Sequence, residues 1–318
     1  MLAYVARRIV YVIPIVICVA FVCFVLVHIT PGDPLVAVLP PDASQELANQ
    51  LRAIYGFDKP WPVQFGMWLW RAVNGDLGNS IATGRPVLSE VIRAVGNTVT
   101  LAIAAASIGF SLGLTFGVIA GYFRDSWVDK VVTSIAIAGV SVPHYWLGMV
   151  LVIVFSVELS WLPAVGAGSG GSGAWAWDWD HLRYLILPAI TTSVIPMGII
   201  TRTVRALTGD ILSQDFVEAL RAKGLRETSV FRHVIKNAAP TALAVMGLQL
   251  GYMLGGSILI ETVFSWPGSG LLLNSAIFQR DLPLLQGTIL VLSLFFVILN
   301  LLVDIAQAAI DPRIKRGQ

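Results

Sequence analysis

Six long apolar runs recur along the chain, each uncharged inside and bracketed by charged residues. They are Ile9–Ile29 behind Arg7 and Arg8, Thr98–Tyr122 between Arg93 and Arg124, and Val131–Val157 between Lys130 and Glu158. Tyr184–Thr201 follows between Arg183 and Arg202, then Ala238–Ile260 between Lys236 and Glu261, and Leu282–Val303 between Asp281 and Asp304. About 20 apolar residues in a helix cross the ~30 Å hydrocarbon core of a bilayer. Inside lipid the backbone must satisfy its own polar groups, and a helix does so within one segment. With 56% hydrophobic and 13% charged residues, the expected fold is an all-α polytopic membrane protein of six transmembrane helices. The first run exceeds the apolar part of a signal peptide and no small-x-small cleavage pattern follows it. It is therefore expected to remain as the first helix.

An even number of crossings puts both ends on one side. Arg124, Lys130, Arg202, Arg205, Arg221, Lys223, Arg226, Arg232 and Lys236 cluster in alternate connections, on the side of Arg7, Arg8 and the basic tail. The short loops opposite hold only Arg183 and Arg280, so the positive-inside rule predicts N-in, C-in. Four regions follow: residues 1–29, tail and first helix; 30–97, an extracytoplasmic subdomain; 98–310, a five-helix core; and 311–318, a cytoplasmic tail. The core includes a cytoplasmic loop, 202–240. In the external region, Ser44 to Ile54 reads as a short helix, and Trp61, Phe65, Trp68, Leu69 and Trp70 as an interfacial one.

The stretch 214–240 is polar and basic, unlike its surroundings. Asp215 is placed to cap a short helix whose apolar face is Phe216, Ala219 and Leu220. Arg221 and Lys223 suit the negative end of its dipole, and Gly224 stands where a left-handed residue ends a helix. A second amphipathic piece carries Val230, Phe231, Val234, Ile235 and Ala238. Such a pair either lies on the membrane surface or docks a soluble partner.

The fourth run is short and punctuated by Pro188 and Pro196, with Thr191, Thr192 and Ser193 between them. An interrupted helix at this depth lines a pathway, or its hydroxyls bond their own backbone carbonyls. Gly247, Gly251 and Gly255 are expected to mark helix packing. Glu261 leads into Trp266-Pro267-Gly268, a turn expected just outside the membrane. Cys18 and Cys23 share one helix and lack metal-site spacing. No P-loop, H-E-x-x-H or G-x-S-x-G occurs, so the chain is not expected to be an enzyme or to bind nucleotide. The net charge of +2 is spread over loops, which argues against a nucleic-acid partner. Glu158, Glu261 and Asp304 fall at predicted helix ends, and without a mid-membrane acid an ion-coupled secondary transporter is the lesser alternative.

Glu218-Ala219-Leu220-x-x-x-Gly224 resembles the EAA loop of ABC importer permeases, with Leu220 where the family has a small residue. Arg221 to Leu225 resembles the peptide/nickel branch of that loop. Tyr4 to Pro34, Gly56 to Pro60, Gly75 to Gly78 and Thr83 to Val87 are similar to the first permease of the dipeptide/oligopeptide/nickel importers. So are Ser141-Val142-Pro143 with Trp146-Leu147-Gly148, then Glu261 to Gly268, Arg280-Asp281, Gln286-Gly287 and Asp311-Pro312-Arg313. The resemblance implies a type I importer permease in a bacterial inner membrane. Its implied partners are a second homologous permease, two ABC ATPases that hold the ATP and Mg, and an extracytoplasmic substrate-binding protein. The chain itself would bind no cofactor. Phe216, Glu218, Ala219, Leu220, Arg221, Lys223 and Gly224 would couple to the ATPase, with Phe216 as the anchor in its groove. Thr191, Thr192, Ser193, Glu261, Trp266, Pro267 and Gly268 are the candidates for pathway or gate. Di- and oligopeptides are the expected substrates, with nickel chelates or opines as the alternative.

Overall fold

The computed structural model describes residues 2–29, 44–46, 49, 58–168, 176 and 178–310; within these the side chains of 2–9, 26–29, 256, 304 and 306–310 are left aside. The regular secondary structure of the described residues is helical apart from one isolated β-bridge, Asn79 to Pro86. The helices are α1 (Leu2–Ile29), α2 (Trp61–Val73), α3 (Val87–Tyr122), α4 (Trp127–Ser141), α5 (His144–Val152), α6 (Trp179–Leu212) and α7 (Asp215–Ala222). There follow α8 (Glu227–Gly256), α9 (Ile258–Val263), α10 (Ser269–Phe278) and α11 (Leu282–Ile310), and a π-helix, Ile153–Glu158, prolongs α5. Most of the expected helix over Ser44–Ile54, the first-loop residues 30–43 and 55–57, Trp175, Trp177 and the tail from 311 lie outside the described residues.

Four helices are each long and apolar enough to cross a membrane: α3, α6, α8 and α11. A fifth crossing exists if α4 and the α5–π segment count as one. That pair is bent by 95°, so the run Val131–Val157 is not one straight helix. The cause is local. Pro143 has no N–H, and it drives Val142 into extended backbone (φ −82°, ψ 130°). The described apolar part of α1, Val10–Val25, is shorter than a full span.

The fourth run reverses its expectation. Despite Pro188 and Pro196, α6 is one continuous helix of 34 residues. Each proline removes one intrahelical bond, a local loss that dense packing on both flanks offsets. Gly109, Gly113, Gly117 and Gly121 form a stripe on α3 that lies against α6. A methyl at Gly117 would stand 2.7 Å from Val204 Cβ, and one at Gly121 2.6 Å from Thr208 Cβ. On another face of α6, Gly198 fits against the Ala136 carbonyl of α4. Ile200, Val204 and Ala242 form a buried cluster with Phe110, Leu114 and Met246, setting α6 between α3 and α8. Small-residue contacts of this kind let backbones approach closely enough for dispersion to hold helices in lipid. The stripe expected at Gly247, Gly251 and Gly255 meets a neighbour at Gly247, which lies against Val303, while Gly255 faces open space.

The chain divides into two compact units, Met1–Asn97 with Pro267–Ile298, and Thr98–Trp266 with Leu299–Gln318. In the first, Phe21 and Phe24 of α1 meet Phe65 edge-on at 5.5 Å, which tethers α2. Val87, Val91, Ala276 and Leu284 form its core. The buried carboxylate of Asp281 accepts from Ser80 Oγ (2.5 Å), Ala82 N–H (3.1 Å) and Leu284 N–H (3.1 Å). One side chain thus caps α11 and pins the 79–86 hairpin. The segments Gly75–Gly78, Thr83–Val87 and Arg280–Asp281, singled out separately in the sequence, are parts of one folded unit. Cys18 and Cys23 are free thiols.

Candidate functional site

The basic segment folds as a helical corner between α6 and α8. α6 ends at Leu212, the chain turns through Ser213 and Gln214, and α7 begins at Asp215. Gln214, not Asp215, occupies the N-cap position and makes no side-chain bond there. Asp215 and Glu218 instead sit in the first turn, where negative charge suits the helix dipole. α7 ends in a full Schellman motif: Leu225 N–H donates to Leu220 O (3.2 Å) and Gly224 N–H to Arg221 O (2.8 Å). Gly224 has φ +78°, the left-handed conformation its position required.

The inward face of α7 is Phe216, Val217 and Leu220, not Phe216, Ala219 and Leu220. Val217 is fully buried against Ile211, Val230, Val234 and Ala238, with Phe216, Leu220 and Leu225 packed around them. Val217 brings more apolar area to that cluster than Ala219 can, which fixes the rotation of the helix. Phe216 and Leu220 are half-buried in this chain's own core, while Glu218, Ala219, Arg221 and Lys223 are exposed. The second amphipathic piece is not a separate helix. It is the first part of α8, which continues through Pro240 into the apolar span. The only intrahelical acceptor Pro240 leaves without its donor is the carbonyl of Lys236, an exposed residue within reach of water. Arg221 Nε and Nη2 meet the two Glu227 oxygens at 2.9 and 3.2 Å, bracing the corner. This pairing pushes the Arg221 guanidinium further up from its ordinary value. The pair is exposed, so solvent screens most of its contribution.

About two turns before the end of α6, Arg205 holds Asp129 of α4 at two points, through Nε to Oδ1 and through Nη2 to Oδ2 (2.7 Å). Asp129 is buried and also accepts from Asp125 N–H (2.9 Å) and Thr133 Oγ1 (3.1 Å). The connection between α3 and α4 is thereby tied to the helix that leads into α7.

Deeper along α6 a cavity of about 430 Å³ opens between α5, α6, α8 and α9. Its polar lining is His144, Thr192, Gln249, Tyr252 and Ser257, and its apolar walls include Ile195, Ile199 and Met253. Of the three hydroxyl residues between the prolines, Thr192 lines this cavity. All three donate to their own helix, at Leu187 O (2.8 Å), Pro188 O (2.8 Å) and Ile190 O (2.7 Å) for Thr191, Thr192 and Ser193 respectively. Thr191 and Ser193 are buried in helix packing. Glu261 lies within α9, fully buried, and its Oε1 accepts from Thr98 Oγ1 and Ser257 Oγ, both at 2.8 Å. It stands behind the cavity wall that Ser257 forms. Trp266 is fully buried and closes the turn by donating to Glu261 O (2.8 Å), while the Pro267 carbonyl accepts from Asn97 Nδ2 (2.8 Å) and Gly268 precedes α10.

Sequence reasoning missed Val217, the Asp129–Arg205 pair, Gln249 and the α3 glycine stripe. The spacing of four in Gly109, Gly113, Gly117 and Gly121 was the available signal for the last.

Comparison with known proteins agrees with this architecture. The chain is 39% identical over 316 residues to a putative peptide transport system permease protein of Brucella abortus, covering 99% of each chain. It is 40% identical over 316 residues to the glutathione transport system permease protein GsiC of Escherichia coli K12, again covering 99% of each. Among solved structures, an inward-facing MetNI methionine ABC transporter shares the fold, with a TM-score of 0.57 at 16% identity, over 70% of this chain and 96% of that one. Residues 1–102 match the N-terminal model of the binding-protein-dependent transport system membrane component, and residues 113–316 the model of its inner membrane component. The chain belongs to the binding-protein-dependent transport system inner membrane components, the multi-pass permease subunits of ABC importers.

Proposed function

We propose that this chain is one of two homologous permeases of an ATP-driven importer, lining half of a path for di- and oligopeptides and driven through α7. It spans the membrane six times, α1 included, with both termini in the cytoplasm. The Lys and Arg distribution supports that orientation and puts α7 on the cytoplasmic side. Two ATPase subunits there hydrolyse ATP, and a binding protein delivers substrate from outside.

The observation that carries this reading is continuity. α6 runs unbroken from the cavity-lining Thr192 to the corner at Leu212, and α8 returns unbroken from Glu227 to Gln249 and Met253. A push on α7 therefore reaches the cavity through two rigid helices rather than through loops, as a hinge-and-lever transition requires. The exposed groups of α7, Glu218, Ala219, Arg221 and Lys223, supply the contact surface. Phe216 and Leu220 support it from beneath, and Gly224 closes it. Thr192 and the turn from Glu261 to Gly268 belong to the path or its gate. The peptide assignment follows the relatives named for peptide and glutathione transport.

Uptake of labelled dipeptide, tripeptide and nickel by cells with and without this gene tests the reading. Loss of peptide uptake alone is expected. Loss of nickel uptake alone would keep the architecture and replace the substrate.

A further inference from the structure

Gln249 is nine-tenths buried on α8, at 4% exposure, and lines the cavity. A carboxamide carries two N–H donors and a carbonyl acceptor. Among the described residues it makes no hydrogen bond, and its polar atoms open onto the cavity rather than into packed protein. An amide at a cavity wall without a protein partner is free to bond a group that enters the cavity. On a second wall, Thr192 turns its hydroxyl back onto Pro188 O (2.8 Å), while residue 196, being proline, cannot give the Thr192 carbonyl its helical donor. The cavity thus offers a donor–acceptor pair from α8 and an acceptor from α6. Among the described residues no Asp, Glu, Lys or Arg lines it, and its volume suits a small ligand.

The chemistry these groups complement is an uncharged amide. One residue of an extended peptide presents its N–H and C=O side by side, in the arrangement a carboxamide bonds at two points. Ile195, Ile199 and Met253 accept side chains without selecting among them, and Met253 adapts its shape. No fixed charge opposite to a peptide terminus stands among the described lining residues.

We propose that Gln249 contacts the substrate in transit, pairing with a main-chain amide of the peptide, so that this subunit reads backbone rather than side chains or termini. The assignment rests on the peptide-import reading above. It places the effect of Gln249 on the rate of passage, whereas the half-saturating concentration is set by the external binding protein.

The test uses the complete transporter in proteoliposomes, with its binding protein and internal ATP, and labelled trialanine as the probe. Gln249→Leu is expected to lower the maximal uptake rate about tenfold, the worth of one lost buried hydrogen-bonding group. The half-saturating concentration should stay unchanged, and the unfolding midpoint of the complex should be equal or higher. Unchanged maximal uptake by Gln249→Leu, with wild-type uptake intact, would overturn the assignment alone. A lowered midpoint with loss of the second permease on co-purification would also overturn it, making Gln249 a subunit-packing group. Wild-type vesicles that take up no trialanine would overturn the peptide reading and this assignment with it.

Discussion

Arg205 grips Asp129 with both arms of its guanidinium, joining the start of α4 to the last turns of α6. Asp129 is buried and Arg205 is about one-third exposed, so the pair sits at the edge of the packed interior. It is a strut that fastens α6 to α4 between the cavity-lining Thr192 and the corner at Leu212.

Removing one partner leaves the other unpaired in a place that water reaches poorly. Asp129→Ala is expected to destabilise the subunit by about 2–3 kcal/mol, below the roughly 3–5 of a fully buried pair because Arg205 retains some solvent. Arg205→Lys keeps the charge and loses the two-point geometry, and about half of that loss is expected. Thermal unfolding of the detergent-solubilised complex reads both values. Equal midpoints for wild type and Asp129→Ala would remove the strut from the account.

Gly224 occupies a conformation that L-residues adopt at a cost of roughly 1–2 kcal/mol. No neighbour lies within 4 Å of a methyl there, so Gly224→Ala measures backbone strain alone. Its expected signature is faster hydrogen exchange in α7 with assembly intact. Gly224→Pro removes the N–H that bonds Arg221 O and forces φ negative, and it is expected to abolish uptake while the protein still inserts. Uptake at the wild-type rate in Gly224→Pro would refute the lever.

Val217 anchors α7 to α8 from within this chain. Val217→Ala deletes two buried methyl groups at about 2 kcal/mol, cavity included. The loss should appear as local opening of the corner, read by exchange at Phe216–Leu220, and leave exchange in the apolar spans unchanged.

The α3 stripe admits no side chain. Gly117→Leu is expected to force α3 away from α6 and cost ~3 kcal/mol or more, whereas Gly96→Leu, with nothing within 4 Å, should cost little. Comparing the two yields of folded protein checks the packing directly.

Much of this was readable from residues alone. The apolar runs named four of the helices that cross, because length and charge brackets are set by the bilayer and not by tertiary detail. Gly224 was readable because only glycine suits its position so well. The prolines of the fourth run pointed to a break that α6 does not have. The glycines of α3 and the backbone of α4 pack against α6 around and beyond Pro196, and α6 stays one helix. Those neighbours come from distant sequence. Gln249 and the Asp129–Arg205 pair were hidden for the same cause, since each acquires meaning only from a partner, or the lack of one, in another helix.

The most direct measurement is uptake of labelled tripeptide into proteoliposomes holding this subunit, its second permease and the two ATPases. Accumulation is predicted only with ATP on the side of α7 and binding protein on the other, and it should vanish in Gly224→Pro. Uptake driven by an ion gradient through this chain without ATPase subunits would contradict the account.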